Sequence, residues 1–236
     1  MVFLYQLNKI SMNNWILHIE TSTKNCSVAL SCDGKLIKVI EKSSENYSHG
    51  EQLHPFIKQL IDDSNISVKN LVAICVSKGP GSYTGLRIGV SAAKGLCYAL
   101  NIPLISLNSL SILAQDVEVS KGSFLAPMID ARRMEVYTQI LDHEHKITKE
   151  TWAEVLTEDS FNDHLLKHKV LGFGSGSEKT KELIKNPNFK TLNGPQEPSA
   201  KSMVKLSYKK FENKDFEDVA YFEPYYLKEF YTAKAK

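Results

Sequence analysis

Gly79-Pro80-Gly81-Ser82-Tyr83-Thr84-Gly85-Leu86-Arg87-Ile88-Gly89, continued by Val90-Ser91-Ala92-Ala93-Lys94-Gly95-Leu96, joins an apolar strand to a helix. The run Leu71-Val72-Ala73-Ile74-Cys75-Val76 before it reads as a buried strand. The small-residue stretch after it reads as a helix to about Leu100, stopped by Asn101-Ile102-Pro103. Glycines between a strand and a helix look like a phosphate cradle, because they let backbone amides approach an anion at a helix N-terminus. The detail does not match. There is no Gly-x-x-x-x-Gly-Lys-Ser/Thr, and the spacing is not that of the dinucleotide fingerprint. The helix carries a second signal: Gly85, Gly89 and Ala93 fall four residues apart on one face, with Ala92 beside them. An interior glycine costs about 1 kcal/mol against alanine, so close approach of another helix is the expected compensation. That helix belongs either to the same chain, at 51–63, or to a second subunit.

Upstream, residues 15–20 form a short apolar strand ending in an acid, and β-rich runs at 26–32 and 35–41 flank Asp33-Gly34, a strong hairpin signal. Ser48 and Glu51 fit a capping box, and Leu53, Phe56, Ile57, Leu60 and Ile61 then repeat at helical spacing. Pro55 removes a backbone donor there, which predicts a kink or a late start. Downstream of the glycine-rich segment a strand begins at 104–107 and a short helix follows at 108–116. Strands are then expected at 124–130, 134–141 and 147–152, a helix at 157–166, a strand at 169–173, and helices at 177–185 and 199–213. Two rounds of βββαβα indicate an α/β, two-lobed actin/hexokinase/Hsp70-like (ribonuclease H-like) fold. The expected division is an extension at 1–11, ahead of Met12, an N-terminal lobe at 12–107 and a C-terminal lobe at 108–236, its terminal segment packing back on the first lobe.

The 236 residues are enough for one large domain or two lobes with real cores. Hydrophobic residues make up 42% and the net charge is +2, so bulk charge alone does not point to nucleic acid. Cys26, Cys32, Cys75 and Cys97 form no C-x-x-C pair, and reduced thiols in a cytoplasmic protein are the expectation. No apolar run has the length of about 18 that a membrane span needs. Residues 1–10 make a poor signal peptide, with one lysine and no small-residue cleavage site.

Several segments together resemble the TsaB (YeaZ) family. They are Ile16-Leu17-His18-Ile19-Glu20-Thr21-Ser22-Thr23, Cys26-Ser27-Val28-Ala29-Leu30, Ser48-His49-Gly50-Glu51-Gln52-Leu53 and, most specifically, Gly79 to Gly89 with Ser91-Ala92-Ala93-Lys94-Gly95-Leu96. Ile129-Asp130-Ala131-Arg132-Arg133-Met134-Glu135-Val136-Tyr137 and Glu223-Pro224-Tyr225-Tyr226-Leu227-Lys228 extend the likeness over roughly residues 15–228. The resemblance implies a degenerate second lobe and a non-catalytic partner or activator subunit in bacterial tRNA threonylcarbamoyladenosine formation. It implies a homodimer alone and a complex with the paralogous transferase (TsaD-like), joined by an ATPase subunit (TsaE-like). Transfer RNA would be met through the complex. The expected interface residues are Glu51, Phe56, Ser82, Tyr83, Thr84, Gly85, Arg87, Gly89 and Ala93. No cofactor of its own is expected, ATP and metal belonging to the partner subunits.

The residues give reasons for placing the chemistry elsewhere. The paralogous transferase holds a metal with H-x-x-x-H, whereas His49 and His54 are five apart and off one face. His164 and His168 have the spacing in the wrong lobe, and His143-Glu144-His145 reads as a solvated turn. In kinases of this fold an Asp and a glycine-bearing loop wrap phosphate after the first strand. Here Glu20 and Thr21-Ser22-Thr23 make a degenerate nucleotide loop without that close backbone approach. No Ser or Thr has a paired base. The alternative reading is a small-molecule kinase or ATPase of the same fold. A glycoprotease, an activity attached to the wider family, has neither ligand set nor nucleophile pair. From Lys167 to Lys214 there are eleven lysines against four acids, read mainly as a solvated face and otherwise as an RNA-contacting patch. Arginine occurs only as Arg87, Arg132 and Arg133, and Arg87 in the helix and Arg132 after Asp130 are expected to be structural or interface anchors.

Overall fold

Trp15–Glu20 (β1) is buried on both faces because it lies at the centre of a sheet. Asn25–Cys32 (β2) pairs with it antiparallel, and Leu71–Gly79 (β4) pairs with it parallel. Lys35–Ser43 (β3) and Leu104–Asn108 (β5) close the edges, in the order β3-β2-β1-β4-β5. The computed structural model describes residues 13–44, 48–194 and 196–228, so the expected extension 1–11 lies outside the described residues. Side chains alternate across β1 with the strand period of two. Leu17 and Ile19 face the helices His49–Asp63 (α1) and Tyr83–Leu100 (α2). Ile16 faces a second layer with Ala73, Cys75 and Ile105.

The second sheet repeats the plan. Ser123–Asp130 (β6), Glu135–Leu141 (β7), Ile147–Val155 (β8), Lys169–Phe173 (β9) and Phe189–Thr191 (β10) are ordered β10-β9-β6-β7-β8. Read from the other edge this is the first sheet's order, with β6 in the place of β1 and parallel only to β9. The duplicated strand order makes the fold the two-lobed one that the alternation of elements predicts. Ser109–Ala114 (α3) links the lobes, capped by the Asn108 side chain accepting from the Leu110 and Ser111 amides.

Local expectations differ in six places. Ser48 occupies the N-cap of α1, but its side chain makes no capping bond. The helix starts at His49 and passes through Pro55 without a late start. Pro55 and Glu51 are both exposed, so water can satisfy the Glu51 carbonyl that the proline leaves free. The helix expected at 157–166 shrinks to Asn162–Leu165 (α4), because Phe161 has φ +67° and the Ser160 hydroxyl folds 157–160 into a turn. The one expected at 177–185 is a 3-10 turn at Ser177–Lys179 followed by Thr180–Leu183 (α5). At 199–213 a 3-10 turn, Ala200–Met203, precedes Val204–Glu212 (α6), and β10 has no counterpart among the expected elements.

The chain after β10 crosses back to the first lobe. Ala200 and Met203, with Leu206, Tyr208 and Phe211, cover the face of the first sheet opposite α1 and α2. Beyond α6 the strap 215–228 follows the same lobe: the Glu217 amide donates to the Leu104 carbonyl at 2.8 Å and the Tyr225 amide to that of Lys78 at 2.7 Å. Among the described residues, no helix is long and apolar enough to cross a membrane.

Candidate functional site

The degenerate loop and the glycine-rich helix prove to be one packed unit. β1 ends at Glu20, and residues 20–23 turn beneath the start of α2, all buried. The Thr21 hydroxyl donates to the Gly85 carbonyl at 2.8 Å. A Cβ on Gly85 would run into the Thr21 carbonyl oxygen, and one on Gly89 into the Thr21 hydroxyl. The Ser82 amide donates to the Ser22 carbonyl at 2.6 Å, and His49 Nε2 lies 2.7 Å from the Thr23 carbonyl. Ser82 caps α2, its hydroxyl accepting from the Gly85 amide at 3.3 Å. Gly79, at φ +108°, turns the chain out of β4 into this cap, with the Tyr225 carbonyl where a Cβ would stand.

This geometry corrects one expectation. Gly85, Gly89 and Ala93 are buried in their own chain, so they cannot present a surface to a second one. The space opposite the two glycines is taken mainly by Thr21, a loop residue, with the ring of His49 at the start of α1 also against Gly85. The other expected interface residues are not buried. Glu51 is exposed and Phe56 half-buried on α1. Thr84 and Arg87 are exposed on α2. The Arg87 guanidinium lies 4.1 Å from the Tyr83 ring centroid and bonds the Tyr83 hydroxyl, while its Nε donates to the Tyr226 hydroxyl at 3.2 Å. Tyr83 and Tyr226 rings are 4.7 Å apart. These residues thus also clamp the strap to α2, a role that sequence spacing of 139 residues hid.

A different face of the same two helices is open. Gly50 and His54 from α1, with Ile88, Ser91, Ala92, Gly95 and Leu96 from α2, line a groove of about 500 Å³. A Cβ on Gly95 would meet nothing within 4 Å. On α2, Ala92 and Gly95 face outward where Gly89 and Ala93 face inward.

The loop does not suit a nucleotide phosphate. Its carbonyls, rather than its amides, are turned onto the helix starts, and its acid is poorly neutralised. Glu20 Oε1 accepts from the Ser22 amide at 2.6 Å and the Ser77 hydroxyl at 3.0 Å. Burial nevertheless pushes the Glu20 carboxyl up to about 7, and the charge of Glu197 adds to the rise. Burial likewise raises Glu197, which comes from the segment before the 3-10 turn at 200–203 and was not singled out from sequence. Two carboxyl groups here repel a phosphate, which argues against the kinase or ATPase alternative.

The histidines are spread. His49 is buried beside the loop and His54 is exposed in the groove. His164 and His168 pack edge-on against Phe124, at ring centroid distances of 6.0 and 4.7 Å. His145 is not simply solvated: its Nε2 lies 2.9 Å from the Ala114 carbonyl and 3.0 Å from that of Val117, at the end of α3. Among the described residues, no three His, Cys, Asp or Glu side chains gather as a metal set. Arg132 and Arg133, both at positive φ, form the exposed tip between β6 and β7, where the Arg132 amide donates to Asp130 at 2.6 Å. Of the lysine-rich face, Lys201 reaches Glu41 at 3.8 Å and Lys210 reaches Asp215 at 3.0 Å.

A family model described as TsaD, tRNA N6-adenosine threonylcarbamoyltransferase, matches residues 42–221. The Bacillus subtilis (strain 168) tRNA threonylcarbamoyladenosine biosynthesis protein TsaB is 31% identical over 182 residues, 72% of this chain and 75% of that one. The chain belongs to the TsaB family. A Christiangramia forsetii tRNA N6-adenosine threonylcarbamoyltransferase is 33% identical over 161 residues, 61% of this chain but only 46% of that one. This member of the TsaB family therefore also resembles a transferase over part of its length, and the matching family model carries the transferase description. In three dimensions, a Pseudomonas aeruginosa protein described as similar to peptidase YeaZ superposes with a TM-score of 0.80 at 25% identity, over 91% of this chain and 100% of that one.

Proposed function

We propose that this chain is the non-catalytic partner subunit of a tRNA threonylcarbamoyladenosine-forming complex, and that it activates the transferase paralogue by binding it. The observation that carries the reading is the open groove between α1 and α2. It is lined by glycines, small residues and aliphatic side chains and is left unfilled by its own chain. Such a groove admits ridges of a second helix pair at close range. The groove is in place while the loop below it is packed shut, which supports binding in place of phosphate chemistry. The transferase occupies the groove in the working complex, and a second copy of this chain occupies it when the protein is alone. An ATPase subunit joins the pair, tRNA is met through the complex, and ATP with the catalytic metal belongs to the partners. The setting is the cytoplasm.

The test is reconstitution. Transferase and ATPase subunits, tRNA, ATP and threonylcarbamoyl-adenylate are combined with and without this chain, and modified nucleoside is measured. Ser91→Arg, on an exposed groove position, is expected to abolish partner binding and modification with an unchanged circular dichroism spectrum. Modification that proceeds equally without this chain would refute the reading.

A further inference from the structure

The second sheet has a recess of about 140 Å³ at the start of β6 and β9, on the face that α3 covers. α3 has six residues, about 9 Å of helix. The apolar cluster beneath it ends at Val119 and Leu171, which are only partly buried. These two side chains line the recess together with Ser120, Ser123, Lys169 and Lys190. Strand register explains the grouping. Ser123 pairs with Lys169, Leu125 and Lys190 both pair with Leu171, and paired residues project from one face. Lys169 and Lys190 are therefore diagonal neighbours on that face, on the order of 7–8 Å apart. Both are exposed, as is Lys121 in the loop between the two serines. His168 Nδ1 lies 3.2 Å from the Gly122 carbonyl, which holds that loop against the entry to β9.

These lysines gather without an acid. Among the described residues, Lys121, Lys169 and Lys190 form no ion pair, whereas Lys179, Lys181, Lys201 and Lys210 each reach a carboxylate. No carboxylate lines the recess, and Glu118, the acid nearest to it in sequence, is exposed and pairs with none of the three. Like charges on neighbouring sheet positions destabilise, so the arrangement gains from an anion. The volume decides how much of that anion enters. A site for a whole small molecule takes about 300–1,000 Å³, so a recess of about 140 Å³ admits a single group of something larger. We propose that the recess seats a backbone phosphate of the tRNA, so that this chain touches the RNA itself. Lysine and serine are donors that phosphate oxygens accept from. The Ser120 and Ser123 hydroxyls, 3.4 Å apart, spend only one proton on each other, which leaves the second for the anion. Val119 and Leu171 offer an apolar floor to the carbon edge of the adjoining ribose. An acidic peptide fits less well, because the edge strand beside the recess, β10, has three residues and so few main-chain groups to pair. That the polyanion is tRNA rests on the function proposed above; the recess itself shares no residue with the groove between α1 and α2.

The experiment is fluorescence anisotropy of a labelled tRNA transcript titrated with the full chain alone, at about 50 to 200 mM salt. Affinity in the micromolar range is expected, falling steeply with salt. The double variant Lys169→Gln/Lys190→Gln should bind about tenfold more weakly and lower the slope of log affinity against log salt by about one to two. Lys205→Gln/Lys209→Gln removes the same charge from exposed positions of α6 and should bind as the parent chain does. All four side chains are exposed, so both variants should keep the parent circular dichroism spectrum. Absence of tRNA binding overturns the proposal. Equal loss in the two double variants overturns it as well, since net charge alone would then carry the affinity. Competition by polyglutamate as strong as by polyuridylate would assign the recess to an acidic peptide and overturn the phosphate. Displacement of tRNA by inorganic phosphate at micromolar concentration and matched ionic strength would assign it to the free ion and overturn the RNA contact. Self-association and transferase binding should be unchanged in Lys169→Gln/Lys190→Gln; their loss overturns the proposal by placing the recess in a protein interface. Partner binding that survives Ser91→Arg, with the lysine effect on tRNA intact, would sink the groove reading and leave this one standing.

Discussion

Thr21 occupies the space that two absent Cβ atoms leave on α2, and it does so with two different atoms. Its carbonyl oxygen faces Gly85 and its hydroxyl faces Gly89. Gly85→Ala therefore meets backbone that cannot rotate away. A loss of about 1–3 kcal/mol from overpacking is expected, offset in part by about 1 kcal/mol of helix propensity. Gly89→Ala meets a side chain, so its penalty should fall when Thr21→Ala is combined with it. The Gly85→Ala penalty should not change in that background. Gly95→Ala has open space and an ordinary backbone, and should stabilise by about 0.5–1 kcal/mol. Urea unfolding of the three single variants and the two combinations checks the set. Equal penalties at all three glycines would show that packing against Thr21 does not explain them. The four-residue spacing made these glycines visible in sequence. What stands opposite them was not visible, because Thr21 is 64 residues away and its residue type carries no signal.

The strap after α6 shows the same limit for an element. It has no regular structure apart from one bridge at Glu217, so no periodicity announces it. It is held by scattered polar contacts along α2. Lys94 Nζ donates to the Ala220 carbonyl at 3.2 Å and the Phe222 carbonyl at 2.8 Å, and Arg87 holds Tyr226. Lys94→Met keeps the aliphatic stem and removes both bonds. Its expected cost is about 1 kcal/mol, the usual net value for such bonds at a partly exposed site. The strap should then open more often, and trypsin should cut after the exposed Lys214 faster than in the unmodified protein. Cleavage kinetics that do not change would mean that the strap is held elsewhere. Strands fared better than helices in the sequence because their apolar runs are continuous and Asp33-Gly34 marks the hairpin. The second-lobe helices were overdrawn because Phe161, at φ +67°, breaks a pattern that looks helical on paper.

At the scale of the molecule, the two sheets share one strand order, yet they are not equally self-sufficient. The first has long helices on one face, α1 and α2, and borrows the covering of its other face from residues 200–211. A boundary after residue 107, drawn from the repeat of elements, separates the sheets but not the cores. Nothing local in 199–213 says which sheet it covers; its apolar stripe would fit either. A fragment ending at 107 leaves Ile16, Ala29, Ala73, Cys75 and Ile105 uncovered on one contiguous face, all of them buried in the whole chain. Exposed apolar surface of that kind drives association. The fragment 12–107 is therefore expected to aggregate or to lack a cooperative thermal transition. Adding a second fragment of residues 196–236 in trans should restore one, since it supplies Met203, Leu206, Tyr208 and Phe211 as well as the strap. Differential scanning calorimetry of the fragment, alone and mixed, distinguishes the cases. A sharp transition in 12–107 alone would show that α1 and α2 suffice to fold the first sheet, and that the returning segment only decorates it.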